Sequence, residues 1–341
     1  VEKHDVIIVG GGPGGLACAE RLAGAGAGTL LLERKKSIGA KVCAGGITWQ
    51  GLIRRVPEKL IERTFNEQHI FSGLQSFSFR RDNPVIATVD RRKLGGWMME
   101  QAGSAGADIR AGWHVRAVDG SRVTATDPVG RTVYLEAGHL VGADGSSSLV
   151  RRSLGLPVGR IGMGINYQVA GHRDHMEWHL NTRYFGNGYG WIFPHRDTVS
   201  VGAYASSREH PRRLQKMLLR WSRTRTFSLA EEQGRAELIN YDYQGHRFGT
   251  TWLVGDAAGL ASGLTGEGIQ PAIVSGLAVA GQILAPAYPA PEIEMLLAKK
   301  RRHELLVRMT GRSRTACTSL MEMLILMIRL QVVDFEKQLS M

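Results

Sequence analysis

The chain has 341 residues, 43% of them hydrophobic, enough to bury a large core in one large domain or two interleaved ones and too apolar for a disordered chain. Lys plus Arg number 43 against 31 Asp plus Glu, a formal charge of +12 that attracts acidic partners, whether nucleic acid, anionic lipid or a phosphorylated substrate. The three cysteines, Cys18, Cys43 and Cys317, sit at no metal-ligand spacing and make no even framework, which argues against a metal site or a disulfide scaffold and points to a reducing, cytoplasmic setting.

The first predicted element is a strand over Asp5 to Val9, so close to the start that a signal peptide is not expected. Its apolar run Val6-Ile7-Ile8-Val9 reads as a buried parallel strand; a glycine-rich turn, a helix over about Gly14 to Ala25 and a strand over Thr29 to Leu32 complete a βαβ unit. Gly24-Ala25-Gly26-Ala27-Gly28 follows a helix instead of a strand and reads as a helix stop, not a second nucleotide loop. In the turn, Gly10 permits the sharp bend, Gly12 lets the backbone approach a pyrophosphate and Gly15 lets helix and strand pack closely, while Pro13 and Gly14 open a helix whose positive end faces the phosphates. Glu33, about 20 residues on, suits a ribose 2′-OH and disfavours a 2′-phosphate, so the adenosine half belongs to FAD or NAD and not NADP. Glu33 alone also fits a solvated strand-end acid, and Arg34 beside it an exposed charge.

Asp90 is a helix N-cap, followed at helical spacing by Leu94, Trp97, Met98, Gln101, Ala102 and Ala105. Short strands are then expected at Asp108 to Arg110, Val115 to Val118, Val123 to Ala125, Thr132 to Leu135 and His139 to Ala143, an antiparallel meander inserted into the parallel sheet. From Met163 to Ala205 strand signals continue with Tyr167, Trp178, Tyr184, Phe185, Tyr189, Trp191 and Phe193, as for a second, substrate-facing sheet. Leu253-Val254 starts another buried strand, and a helix is predicted over about Gly268 to Ile283. Residues 291–341 favour helix, with the basic cluster Lys299 to Arg302 near the start; the apolar stretch Leu320 to Val333 is interrupted by Glu322 and Arg329 and is too short to span a bilayer.

Two further segments, Gly142-Ala143-Asp144-Gly145-Ser146-Ser147-Ser148-Leu149-Val150-Arg151 and Leu253-Val254-Gly255-Asp256-Ala257-Ala258, each put an Asp at a strand's C-terminal edge, where open α/β sheets bind cofactors. Taken singly, either Asp also fits a turn or a helix cap. The order GxGxxG, GADGxxSxVR, then VGDAA with Gly266-Glu267-Gly268-Ile269 resembles the para-hydroxybenzoate hydroxylase superfamily of flavoproteins over nearly the whole chain. That resemblance implies FAD, with Gly255 and Asp256 at the ribityl or ribose hydroxyls, Asp144 and Gly145 beside the pyrophosphate, Arg91 on the adenosine side, and Gly266, Gly268 and Ile269 aiming helix N–H groups at the flavin N1 and C2 carbonyl. The expected fold is mixed α/β: a glutathione-reductase-like FAD-binding domain (1–68, 88–157, 248–290), an interleaved antiparallel-sheet substrate domain (69–87, 158–247) and a helical C-terminal region (291–341).

Tyr189-Gly190-Trp191-Ile192-Phe193-Pro194, with Gly202, resembles the YxWxFP signature of the geranylgeranyl reductase family, and Lys41-Val42-Cys43-Ala44-Gly45-Gly46 is similar to that family's Cys-Gly-rich loop. The resemblance implies hydride transfer from N5 of reduced flavin to an isoprenoid C=C bond on a lipid, quinone or pigment precursor. It places Lys41, Cys43, Ala44 and Gly45 at the cofactor, Tyr189, Trp191 and Phe193 along an apolar slot, and Cys43, Tyr189 and Trp191 at the chemistry. Cys43 in a proton relay competes with Cys43 as a small buried thiol, and the aromatics also fit a strand core. His195 receives no catalytic role, and Cys18 and Cys317 a structural one. The electron donor is NAD(P)H, a ferredoxin or a quinol. The C-terminal region either rests on an anionic membrane surface or packs as an ordinary amphipathic helix; nucleic acid is not an expected partner, since no aromatic-interleaved basic motif occurs. The alternative activity is an FAD-dependent aromatic monooxygenase or a halogenase-like enzyme, since a fold does not choose its chemistry.

Overall fold

The computed structural model describes residues 1–39, 43–48, 56–206, 211–311 and 313–334. The first βαβ unit is β1 (Glu2–Val9), α1 (Pro13–Gly24) and β2 (Thr29–Glu33); β3 (Gly46–Thr48), β4 (Ile61–Phe65), β5 (Glu67–Ser72), β6 (Ser76–Arg80) and β7 (Ile86–Val89) follow. Next come α2 (Arg91–Ser104), β8 (Asp108–Ala111), β9 (His114–Asp119), β10 (Arg122–Thr126), β11 (Thr132–Gly142) and α3 (Leu149–Ser153). The middle of the chain forms β12 (Ile161–Ala170), β13 (Met176–Leu180), α4 (Thr182–Phe185), β14 (Tyr189–Pro194), β15 (Thr198–Ala205), α5 (Pro211–Arg223) and β16 (Arg235–Asn240). The chain then makes β17 (Arg247–Phe248), β18 (Thr251–Leu253), α6 (Gly255–Ala258), α7 (Ile269–Leu284), α8 (Pro291–Thr310) and α9 (Arg314–Arg329).

Among the described residues the first sheet runs β17-β18-β11-β1-β2-β8, with β18, β11, β1, β2 and β8 parallel and β9–β10 attached to β11 as the antiparallel meander. Alternation along β1 explains its two-sided burial: Val6 and Ile8 pack with α1, α2 and α7 residues, whereas Ile7 and Val9 pack with the meander and α6. Helices α1 and α7 cross so closely that a Cβ at Gly276 would overlap the Gly14 carbonyl. A second sheet, β16-β12-β15-β14-β13-β5-β6, is antiparallel except at β13/β5, and β3-β7-β4 form a small third one. Along β14, Ile192 faces the core shared with α5, while Tyr189, Trp191 and Phe193 share the other face with Trp178, Tyr204 and α9.

Two elements differ from expectation. Thr132 to Leu135 and His139 to Ala143 form one strand, β11, because the chain changes partners there without stopping: Thr132–Glu136 pair with β10, Leu140–Gly142 with β18, and β1 accompanies it along most of its length. Gly138, a turn signal by sequence, is needed at this crossing because a Cβ would lie 2.9 Å from the Asp5 carbonyl oxygen. Helix α5 was not anticipated, although its buried Leu214, Leu218 and Trp221 follow the helical period. Among the described residues no helix is long and apolar enough to cross a membrane.

Candidate active site

The C-terminal ends of β1, β11 and β18 open onto a cavity of about 730 Å³. At one end its wall takes in Gly10, Gly12, Pro13, Gly14, Glu33, Arg34, Arg91, Asp144 and Gly145; Gly255, Asp256, Gly266, Gly268 and Ile269 continue it toward Cys43, Ala44, Tyr189 and Trp191. Gly15 and Gly45 sit behind that wall. Gly15 lies beneath the turn, where a side chain would overlap the Gly10 carbonyl; Gly45, at φ +78°, packs under His195, whose Cε1 would be 2.5 Å from an added Cβ. Lys41 lies outside the described residues.

The phosphate end is shaped by backbone geometry. Gly10 adopts φ +110° against Ala143, and Gly12 precedes α1 with no side chain capping the helix, so the first-turn N–H groups have no side-chain acceptor. Pro13 occupies the first turn, where its missing N–H costs nothing. Glu33 accepts hydrogen bonds from the N–H groups of Gly11 (2.7 Å) and Lys35 (2.8 Å), so its carboxylate braces the turn as well as facing the cavity. The Asp144 carboxylate shapes its loop: Ser148 Oγ (2.5 Å) and the N–H groups of Leu149 (2.6 Å) and Val150 (3.3 Å) donate to it, so that it caps α3 while Asp144 and Gly145 line the wall. Burial pushes that carboxyl above the ordinary range against the pull of these donors.

Further along, Ser275 Oγ accepts from the Gly255 N–H (2.9 Å) and holds that glycine at φ +54°. The Asp256 carboxylate, 8% exposed, accepts from Ser146 Oγ at 3.1 Å. Helix α7 begins after Gly268, again without a side-chain cap, so its N-terminal dipole and N–H groups face the cavity. Three observations fit an adenine dinucleotide of the FAD kind. An added Cβ on Gly12 would meet protein only at 3.9 Å and would otherwise fill cavity space. Arg91 Nε and Nη1 are buried without a protein partner on the cavity wall. Two uncapped helix N-termini face the same space.

The far end is lined by aromatic rings. Trp178 lies 5.5 Å from Tyr189 and 4.8 Å from Phe193 between ring centroids; Trp191 lies 5.9 Å from Tyr189 and 6.2 Å from Phe193. Their polar atoms turn away into the protein: Trp178 Nε1 donates to Gln68 Oε1 (2.9 Å), Trp191 Nε1 to Ser200 Oγ (2.9 Å), the Tyr189 hydroxyl to the Thr265 carbonyl (2.6 Å) and the Tyr204 hydroxyl to the Gly263 carbonyl (2.9 Å). Tyr189 and Trp191 therefore present ring surface to the slot, with their donors committed elsewhere. Burial, with smaller contributions from Cys43 and Glu267, pushes the Tyr189 hydroxyl well above the ordinary phenol range. Cys43 is half-buried on the same wall, its Sγ accepting from the Gly45 N–H at 3.4 Å. Cys18 and Cys317 are buried, and Cys18 is pushed up to about 12 by burial. Sequence reasoning missed Trp178, Tyr204 and Asn166 as cavity residues; the density of aromatics between Tyr167 and Tyr204 was the available signal.

Fold and site together define a flavoprotein: an oxidoreductase that binds FAD. Residues 3–312 match the FAD-binding domain family, and the chain belongs to the geranylgeranyl reductase family of FAD-dependent oxidoreductases within it. A digeranylgeranylglycerophospholipid reductase of Methanopyrus kandleri is 30% identical over 314 residues, 84% of this chain and 78% of its own. A geranylgeranyl diphosphate reductase of Rhodobacter capsulatus is 32% identical over 216 residues, 59% of this chain and 54% of the relative. A geranylgeranyl bacteriochlorophyll reductase-like protein from Thermoplasma acidophilum superposes with a TM-score of 0.78 at 24% identity, covering 94% and 90% of the two chains. The myxobacterial chondrochloren halogenase does so at 0.66 and 20%, covering 89% and 80%; these two likenesses speak for the fold alone.

Proposed function

We propose that the protein reduces C=C bonds of a prenyl group of geranylgeranyl type, carried on a lipid, quinone or pigment precursor. The observation that carries this reading is the slot in which four aromatic side chains present ring surface and no donor. Such a wall binds a hydrocarbon through buried area and leaves no polar group desolvated; a site built for a phenol or another polar aromatic substrate needs convergent donors. The substrate classes in the names of the two relatives support it.

Bound and reduced, FAD supplies a hydride. An unactivated alkene accepts one poorly, so the chain must hold the double bond in a near-attack position, exclude water and deliver a proton to the second carbon. The rings of Trp178, Tyr189, Trp191 and Phe193 fix the chain and keep the slot dry. Asp256 and the α7 N-terminus hold the cofactor end, where helix N–H groups stabilise negative charge. Cys43 is the thiol on the slot wall placed to carry the proton.

The test is anaerobic reduction of the FAD-loaded protein followed by addition of a geranylgeranylated lipid, quinone or chlorophyll precursor. Flavin reoxidation with a product gaining two hydrogens per double bond is expected. Failure to reoxidise under these conditions, combined with substrate-stimulated oxygen uptake in air on aromatic compounds, would replace this reading with the monooxygenase one.

A further inference from the structure

The strap Cys43-Ala44-Gly45, which puts the Cys43 thiol on the cavity wall, is held by its carbonyls. Three successive carbonyl oxygens each accept a hydrogen bond from a different element: Cys43 from Asn166 Nδ2 on β12 (3.4 Å), Ala44 from His195 Nε2 just after β14 (2.9 Å), and Gly45 from the Val89 N–H on β7 (2.9 Å). Asn166 is in turn fixed by Ser200 Oγ (2.5 Å), which also accepts from Trp191 Nε1. His195 is 6% exposed, and its other nitrogen, Nδ1, lies 2.5 Å from Glu62 Oε2 on β4.

A carbonyl oxygen only accepts, so Nε2 of His195 carries a hydrogen. At its other end Nδ1 faces the Glu62 carboxylate, so the ring bridges β4 to the strap and fills the space over Gly45 where a Cβ would collide. Ala44 is the strap residue whose carbonyl hangs on a side-chain pair; its neighbours are held by an amide and by the backbone.

We infer that His195, oriented by Glu62, is a positioning residue that sets how far the Cys43 thiol reaches into the slot. What the thiol does there rests on the proposed prenyl reduction; the placement itself does not. The residue acts through the strap, so the signature to look for is thiol exposure and the spectrum of bound FAD, both read without any prenyl substrate.

The experiment uses the FAD-loaded protein and measures the rate at which iodoacetamide alkylates Cys43, followed on its proteolytic peptide by mass spectrometry, together with the visible absorption of the bound flavin. His195→Phe keeps bulk but removes the donor to Ala44, and alkylation is expected to rise about tenfold, the scale of one lost buried hydrogen bond, with a shifted flavin band. His195→Gln, whose side-chain amide can donate to the Ala44 carbonyl, is expected to bring the rate back toward wild type. Glu62→Ala leaves Nε2 donating but frees Nδ1, and a smaller rise is expected; it carries the test if His195→Phe does not accumulate as holoprotein. Rates and spectra equal to wild type in His195→Phe or in Glu62→Ala, or a Gln variant no better than Phe, would overturn the assignment. A protein that passes this test yet reduces no prenyl compound would lose only the proposed activity.

Discussion

The phenol of Tyr189 donates to the Thr265 carbonyl at 2.6 Å and is held above the ordinary phenol range chiefly by burial, so at neutral pH it keeps its proton and has already committed it. Tyr189→Phe should therefore cost about 1 kcal/mol of stability, the scale of one lost hydrogen bond that strands a carbonyl, and lower turnover by no more than about tenfold. The sign of its pH effect follows from the raised value. The neutral phenol stabilises the fold fully below about pH 10, where an unfolded tyrosine titrates, and that contribution fades as the pH climbs toward the folded value. Between neutrality and about pH 10 the pH–rate profiles of wild type and Phe variant should then share one shape, and the stability gap between the two should change only in alkaline melting. A profile that loses a limb in the variant would show Tyr189 acting as an acid after all. This residue also marks a limit of sequence reading. Its place on the slot face follows from alternation along one strand, but the direction of its hydroxyl depends on a carbonyl 76 residues away in another segment. For Asp144 the sequence left a cofactor turn and a helix cap both open, and only the fold shows its carboxylate meeting the N–H groups that open α3.

Helix α8 supports the loop between α6 and α7. Lys300, 3% exposed, donates to the carbonyls of Tyr241 (2.5 Å) and Ala261 (3.2 Å) and pairs with Glu304 (3.1 Å), which also receives Arg160 (2.8 Å). One turn on, His303 Nδ1 accepts from Ser262 Oγ (2.8 Å), and that oxygen gathers the N–H groups of Leu264 and Thr265. The loop so anchored carries Gly266, Glu267 and Gly268 to the cavity. The basic run Lys299 to Arg302 is thus split by the helical period: Lys300 turns inward while Arg301 and Arg302 face solvent. Burial pulls the Lys300 ammonium below the ordinary lysine range, against Glu304. Lys300→Met should remove about 2–4 kcal/mol, since it takes one donor from two buried carbonyls and one cation from Glu304. Because the loss falls on the cofactor loop, release of fluorescent FAD on heating should precede global unfolding in the variant and coincide with it in wild type. Simultaneous release in both would show that α8 supports the body and not the loop. At this scale the βαβ unit, α2 with its Asp90 cap, the meander and α7 were legible because local period and punctuation coincide in them. β11 was read as two strands because a change of partner looks like a break, and α5 went unread among strand-like neighbours.

Over the whole molecule, the cavity joins the turn at Gly10, Glu33, Arg91, the loop at Asp144, Asp256 and the start of α7, segments that only the finished fold brings together. FAD can therefore bind the native chain and not the unfolded one, and its binding is linked to stability: free FAD at about 100 times its dissociation constant should add about 2.7 kcal/mol. For a chain of this size that corresponds to a rise of about 4 °C in Tm. The glycines separate cofactor from fold in this measurement. A side chain at Gly12, which has φ −79° and ψ 175°, meets no strain and no protein atom nearer than 3.9 Å, so Gly12→Val should melt near wild type without FAD and lose most of the FAD-dependent rise. Gly15→Val places a side chain against the Gly10 carbonyl beneath the turn and should lower the melting temperature with or without the cofactor. Thermal melts of the three proteins, with and without excess FAD, distinguish the cases: a Gly12→Val variant that keeps the full rise would mean that the phosphates do not lie over this turn, and the assignment of the cavity to FAD would have to be moved.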